Sequence, residues 1–460
     1  MALDLEHLDA VAAVAAIRDG AVSPAEYAEA LADRAAKHAK LNALQSFDAR
    51  YVVQAAMNTY NARPGGALAG LPVVAKDNIN TTTYPTSGGT RALLGHTPAT
   101  DAGAVRRIIQ AGGFIGAKAG MHELAFGITS NNAVTGAIHN PVDPAMVPGG
   151  SSGGTAAAIA AGIFPAGLGT DTGGSCRIPA ALCGIIGFRP TSGRYDSDGV
   201  VPISHTRDTV GPLARSVRDI ALFDSVLSGD SAEIGNADLA DMTLGVPRQM
   251  FFENLDPVVA KEVEAQLSML SAAGAKLVDV SLEPVWPHNE AFSFPVVFYE
   301  VMRDLPAYLA RHAPEVSFDA LVAGIGSPDV AVAISSQLGD GAMPEVVYRA
   351  AMDVHRPAMR QIYRQVFEEN GLDAIVFPTT PLPARPIGED ETVTLNGGQV
   401  PTFPTYIRNT DLGSNIGAPG ISLPCPVSSG LPVGIEFDAL PGKDKSLLAL
   451  ARAAEKAMAQ

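Results

Sequence analysis

Two serines and a lysine dominate the chemistry that this 460-residue chain offers. Ser175 sits in Gly169-Thr-Asp-Thr-Gly-Gly-Ser-Cys-Arg-Ile-Pro-Ala180. Glycines just before a serine let the backbone turn, so that several amides point at one spot. Preorganised donors of that kind stabilise developing negative charge. A serine there reads as a nucleophile, and its blander reading is a capping serine in a glycine-rich turn. Lys76 ends the apolar run Leu71-Pro-Val-Val-Ala75. Burial at such a strand end disfavours the ammonium and lowers its pKa, which makes a lysine able to accept a proton. The alternative is a strand end with the ammonium in water. Ser151 lies in Gly149-Gly-Ser-Ser-Gly-Gly154, 24 positions before Ser175.

Other chemistries fit less well. Gly150-Ser151-Ser152-Gly153-Gly154 matches the GxSxG pattern, but a nucleophile elbow needs a preceding strand. Here Pro144 and Pro148 precede the serine and work against one. A histidine base would have to come from His122, His139, His205, His288, His312 or His355, and none has a context that singles it out. His205 is the least ordinary, in Ile203-Ser-His-Thr-Arg-Asp-Thr209, and is read as structural. Cys176 as nucleophile would need a histidine partner. No spaced His/Cys/carboxylate cluster suggests a metal, and no GxxxxGK[ST] loop suggests a nucleotide. What remains is a serine with a lysine base, bridged by Ser151 if Lys76 cannot reach Ser175 directly.

The elements that position these residues alternate in type. Ser23-Pro24-Ala25-Glu26 is a capping box with proline at the first helical position, followed by a helix. A short strand is expected near Leu41 to Phe47, a strand over Leu68 to Ile79, and a helix, glycine stop and strand over Ala102 to Gly120. A helix follows Gly154, a strand precedes Asp171, and a helix then a strand follow Arg177. Later come strands at Met242 to Pro247 and Ala275 to Leu282, a helix from Pro257 to Gly274, and a long helical stretch from about Pro287 to Asn370. Strands are expected at Asp373 to Pro381, Gly420 to Pro426 and Leu431 to Phe437. This alternation predicts an α/β fold with a buried parallel or mixed sheet. No linker or repeat divides it, so residues 1–460 are read as one domain.

Composition excludes some functions. Net charge is −16, which argues against nucleic acid and anionic membranes as partners. The uncharged run Pro144 to Thr170 is made mostly of Gly, Ala, Ser and Pro and does not read as a membrane span. Three cysteines without a CxxC pair indicate a reducing compartment, and the acidic N-terminus lacks an export signal, so the chain is expected to be cytoplasmic.

Together, Lys76-Asp77-Asn78, GGSSGG at 149–154 and GTDTGGSCRIPA at 169–180 resemble the amidase signature family of serine hydrolases. The likeness is strongest from Leu68 to about Pro212 and looser elsewhere, including Asp373 to Pro381 and Asn415 to Pro426. It implies a single-domain fold with a twisted mixed sheet of about eleven strands flanked by helices on both faces. A catalytic core would occupy 68–212 and a helical substrate-pocket region 285–345. It also implies roles: Ser175 as nucleophile, Ser151 in a cis peptide as proton relay, Lys76 as base and later acid. The amides of Thr172, Gly173, Gly174 and Ser175 would form the oxyanion hole, with Asp171 and Arg177 supporting them from behind. The sequence departs from the family where Ala119-Gly120 precede Met121-His122-Glu123 and where the arginine falls two residues after Ser175.

Gly187-Phe-Arg-Pro-Thr-Ser-Gly-Arg-Tyr195 and Val201-Pro-Ile-Ser-His-Thr-Arg-Asp-Thr-Val-Gly-Pro212 are similar to indoleacetamide and mandelamide hydrolases and to small urethanases. The resemblance implies hydrolysis of small aryl or linear amides, with carbamates as an alternative, without metal or cofactor. A small-molecule substrate would be the partner, and a homodimer is compatible with this reading. A second reading is the glutamine-hydrolysing subunit of a tRNA-dependent amidotransferase. Aromatic residues between Trp286 and Tyr299 are candidates for a pocket wall, and residues 130–145, 190–210 and 285–345 for the loops that shape it.

Overall fold

Eleven strands pair into one mixed sheet in the computed structural model, which describes residues 4–5, 8–426 and 430–459. Part of the N-terminal stretch from which an absent export signal was read lies outside them. The strands are β1 (Leu44–Phe47), β2 (Pro72–Lys76), β3 (Phe114–Ala119), β4 (Ala166–Asp171), β5 (Ile186–Arg189), β6 (Thr209–Ala214), β7 (Thr243–Val246), β8 (Lys276–Asp279), β9 (Ala374–Pro378), β10 (Gly420–Pro424) and β11 (Gly434–Asp438). Their spatial order is β1-β3-β2-β4-β6-β5-β10-β11-β9-β7-β8. Strands β3, β2 and β4 run parallel, as do β9, β7 and β8, while the centre is antiparallel.

The central strands are buried along their whole length because helices cover both faces, so they read as continuous apolar runs. The helices used below are α1 (Gly103–Gln110), α2 (Gly153–Ala160), α3 (Arg177–Cys183), α4 (Trp286–His312), α5 (Pro328–Ser335), α6 (Thr402–Ile407) and α7 (Asp411–Ile416). Helix α1 follows the expectation, with Gly112 and Gly113 stopping it before β3. Buried β2 and β4 end side by side at Lys76 and Asp171. In open α/β sheets, ligands bind beyond the carboxyl ends of such strands.

Two expectations change, and one strand goes beyond them. The strand read over Leu68 to Ile79 shortens to β2, because the flanking residues turn. The helical stretch after Pro287 is broken: α4 ends at His312, and shorter helices follow it. Pro314, Pro328 and Pro344 and the glycines at 324, 326, 339 and 341 interrupt the backbone ladder. Strand β6 carries no strand signature in Thr209-Val-Gly-Pro-Leu-Ala214, yet it pairs with both β4 and β5. Proline is rare in a strand paired on both sides because it cannot donate to the ladder.

Candidate active site

Lys76 is fully buried at the end of β2. Its Nζ donates to Ser151 Oγ at 2.7 Å and to Thr170 Oγ1 at 2.8 Å. Asn78 Nδ2 also donates to Thr170 Oγ1, at 3.1 Å. Burial lowers the Lys76 pKa to about 7, opposed by the carboxylates of Asp171 and Asp208. A neutral amine keeps a lone pair, so it can donate to Thr170 while accepting from Ser151.

Ser151 lies in the loop before α2 and follows a cis Gly150–Ser151 bond. Gly149 takes φ +82°, and a Cβ there would lie 2.8 Å from Pro179 Cα, so this loop packs directly on α3. Ser152 fastens it to the next loop. The Ser152 amide donates to the Ser175 carbonyl at 3.2 Å, and Ser152 Oγ donates to the Thr170 carbonyl at 3.2 Å.

Ser175 ends the loop between β4 and α3. The described hydrogen bonds join Lys76 to Ser151 and do not continue from Ser151 to the Ser175 hydroxyl. No acceptor among the described residues engages the amides of Thr172, Gly173, Gly174 or Ser175. The loop is fixed by other groups. Thr410 Oγ1 donates to the Gly173 carbonyl at 2.5 Å, and Thr172 Oγ1 donates to Asp208 at 2.6 Å. Gly174 has φ +139°, and a Cβ there would overlap the Thr410 side chain, so only glycine fits.

Asp171 closes the loop from behind. Its Oδ2 accepts from the Cys176 amide at 3.1 Å, tying the residue before the loop to the residue after it. Its carboxylate also takes Arg177 Nε and Nη2 (3.1 and 3.0 Å) and Arg189 Nη1 (3.0 Å). Against the desolvation that burial imposes, the two guanidiniums hold its carboxyl well below the usual range. Arg177 continues to Glu436 Oε1 on β11 at 2.5 Å and to Ser414 Oγ at 2.8 Å. Burial raises the pKa of both Glu436 and its neighbour Asp438, the latter to about 6. The structure therefore brings Asp171 and Arg177 together behind the loop. Sequence reading missed Ser152, Thr170, Arg189, Thr410 and Glu436; Ser152, Thr170 and Arg189 lie inside the quoted motifs, whereas Thr410 and Glu436 lie outside them.

The Cys176 thiol is buried, with its pKa pushed up by desolvation, and it donates to the Gly211 carbonyl at 3.6 Å. That environment suits an inert thiol. His205 is half exposed and paired with Asp304 at 2.8 Å, which raises its pKa. His205, Glu300 and Asp304 are the one group among the described residues with the proximity for a metal. Glu300 already accepts from Ser204, Thr206 and Tyr348, so the cluster is satisfied by hydrogen bonds. At Met121-His122-Glu123, the imidazole of His122 contacts Asp329 at 2.9 Å, and Glu123 accepts from the amides of Gly326 and Ser327 ahead of α5.

Ser175, Thr172 and Gly173 open into a cavity of about 510 Å3. Its walls are aromatic: Phe126, Trp286, Phe294, Phe298 and Phe403. Trp286, Glu290, Phe294, Val297 and Phe298 repeat at helical spacing along one face of α4. The other face is core, where Phe292 is buried, and Tyr299 stacks on Tyr348. Of the loops expected to shape the pocket, 130–145 contributes no lining residue, and 190–210 contributes Ile203 and Arg207. Residues 125–128 and 390–411 line it instead, carried there by the turn before the serine loops and by α6 and α7.

The Amidase family model matches residues 26–448. An indoleacetamide hydrolase of Rhizobium radiobacter is 42% identical over 94% of this chain and 93% of its own length. A mandelamide hydrolase of Pseudomonas putida is 39% identical over 95% and 89%. Among solved structures, an amidase superposes with a TM-score of 0.87 at 35% identity, covering 98% of this chain and all of the other. The peptide amidase of Stenotrophomonas maltophilia gives 0.84 at 28% identity, covering 98% and 97%. The chain belongs to the amidase signature family and is a hydrolase of amide carbon–nitrogen bonds.

Proposed function

We propose that this enzyme hydrolyses small, uncharged aromatic amides, and aryl carbamates as a second class, through Ser175, Ser151 and Lys76. The observation that carries the reading is the buried Lys76–Ser151 hydrogen bond beside a serine at the floor of an aromatic cavity. Neutral Lys76 accepts the Ser151 proton as Ser151 takes the proton of Ser175. Ser175 Oγ attacks the carbonyl carbon, and the oxyanion forms against the free amides of residues 172–175. Lys76, now an ammonium, returns the proton through Ser151 to the leaving nitrogen, and the amine departs. Water attacks the acyl or carbamoyl enzyme by the same relay and releases the acid.

The relatives named for indoleacetamide and mandelamide support an aryl acyl group, and the aromatic walls match it. The same walls disfavour glutamine, and with it the amidotransferase-subunit reading. Hydrolysis of phenylacetamide, indoleacetamide, an aryl carbamate and glutamine by the purified chain tests this. Turnover of the aromatic substrates without a partner protein is expected. Turnover of glutamine alone would overturn the reading.

A further inference from the structure

Among the described residues, the substrate cavity is lined by one cation that has no carboxylate within ion-pair distance, Arg408, on which the Glu253 carboxylate acts only from further away. Arg207 is paired with Asp411 at 2.6 Å, and Asp411 is held further by Asn289 and Asn415. Arg408 differs. Its Nη2 donates to the Glu253 carbonyl at 2.8 Å and its Nε to Asn409 Oδ1 at 3.1 Å. Both acceptors are neutral, and Nη1 has no hydrogen-bond partner among the described residues. The side chain is half-buried in the cavity wall, and desolvation lowers its pKa against the opposing pull of the Glu253 carboxylate. A partly dehydrated guanidinium with a spare fork of N–H donors is an incomplete arrangement.

Its place is defined by its neighbours. Ile407 packs so closely on the nucleophile loop that a Cβ at Gly173 would lie 2.6 Å from Ile407 Cδ1. Arg408 is the next residue and turns outward to the Glu253 carbonyl. It therefore stands on the same wall as Ser175, nearer the mouth. The charges that share the cavity are Glu290, Asp329 and Asp390. Asp390 accepts from Thr129 Oγ1 and Asn131 Nδ2, and Asp329 from His122, so neither is neutralised by arginine or lysine. Three carboxylates repel an anion over the distances of a cavity this size. What Arg408 can take is a neutral acceptor.

We propose that Arg408 forms a second polar subsite, which binds an uncharged carbonyl oxygen at the outer end of the substrate while the scissile carbonyl lies on the Gly173 loop. The substrate class is then an aromatic amide or carbamate carrying a second amide or ester group. This rests on the reading of Ser175 as the reactive serine.

The test uses binding, so that it survives a failure of the hydrolysis assay. Trp286 is the sole tryptophan and lines the cavity, so its fluorescence reports occupancy. In the Ser175→Ala protein, phenylacetamide, its 4-carboxamide and its 4-carboxylate are titrated with and without Arg408→Gln. The carboxamide is expected to bind roughly tenfold more tightly than phenylacetamide, as one charge-assisted hydrogen bond allows. The carboxylate should gain less, and Arg408→Gln should bring the carboxamide-to-parent ratio to about one. Because the readout is a ratio within each protein, a partly unfolded variant does not mimic it. An equal preference in Arg408→Gln, no preference in the parent, or an Arg408-dependent preference for the carboxylate would each overturn the proposal.

Discussion

The signature core and the cavity wall are built on opposite principles. In the core, Lys76, Ser151, Thr170, Asp171 and Arg177 are all buried, and their polar contacts come from fixed strand ends and glycine-shaped loops. In the wall, Trp286, Phe294 and Phe298 are only partly covered and project from one face of α4. Polar contacts tie the back of α4 to the core, as where Glu300 accepts from Ser204 and Thr206, whereas the cavity-facing rings of Trp286, Phe294 and Phe298 make none among the described residues. On the proposed mechanism, the two regions hold different properties. Chemistry needs a dry, over-determined network, because an unpaired buried charge costs several kcal/mol. Selectivity needs area and shape, which half-exposed aromatic rings supply and can change without loss of the fold.

If the division holds, substitutions in the core should remove turnover and those in the wall should shift substrate preference. The largest effect belongs to Ser175→Ala, which should lower kcat by roughly 10^4-fold or more with an unchanged melting temperature. Retained turnover would place the nucleophile elsewhere. Lys76→Ala should cost about 10^3-fold or more, since proton transfer contributes to both acylation and deacylation. In the intact enzyme Lys76 must be neutral to accept a proton. As pH falls below about 7 it becomes protonated, so kcat/KM should fall about tenfold per pH unit and level off above that value. A profile flat from pH 5 to 8 would contradict the lysine base.

Asp171→Ala leaves Arg177 and Arg189 without their shared carboxylate in a fully buried place. It should destabilise the fold by about 3–5 kcal/mol in denaturant unfolding, with activity falling in the fraction that stays folded. Trp286→Ala should raise KM for aryl amides roughly tenfold, as losing most of an aromatic contact implies, and leave kcat within a few-fold. A kcat collapse there would erase the line between wall and core. Asp329→Asn keeps an oxygen for His122 and should change kcat/KM by less than about threefold, the scale of one partly exposed contact.

How much of this was legible in the sequence follows the same line. Lys76 announced itself as a polar residue ending an apolar run, and Ser151 and Ser175 as hydroxyls among glycines. These are local signals, and the helix and strand order around them followed from periodicity and caps such as the Ser23–Glu26 box. Groups that fasten the loop from a distance carried no such mark. Thr410 and Glu436 lie more than 230 residues beyond the loop they hold, and strand pairing alone brings β11 within reach of Arg177. Pro212 concealed β6, since a strand with proline in the centre of a sheet breaks the local rule. The cavity wall was legible only in part. The aromatic residues between Trp286 and Tyr299 stood out as candidates for a wall, but which of them face the cavity is set by the packing of α4, and Phe126, Phe403 and Arg408 arrive from a turn and from α6 and its end, whose direction is set by tertiary packing.

The central claim, that Ser175 is acylated, is tested most directly by quenching the enzyme in acid during turnover of an aryl amide and locating the added mass by peptide mass spectrometry. The account predicts an acyl group on Ser175 that disappears as substrate is exhausted and never forms in Ser175→Ala. An adduct on Cys176 or Ser151 that persists in Ser175→Ala would contradict it.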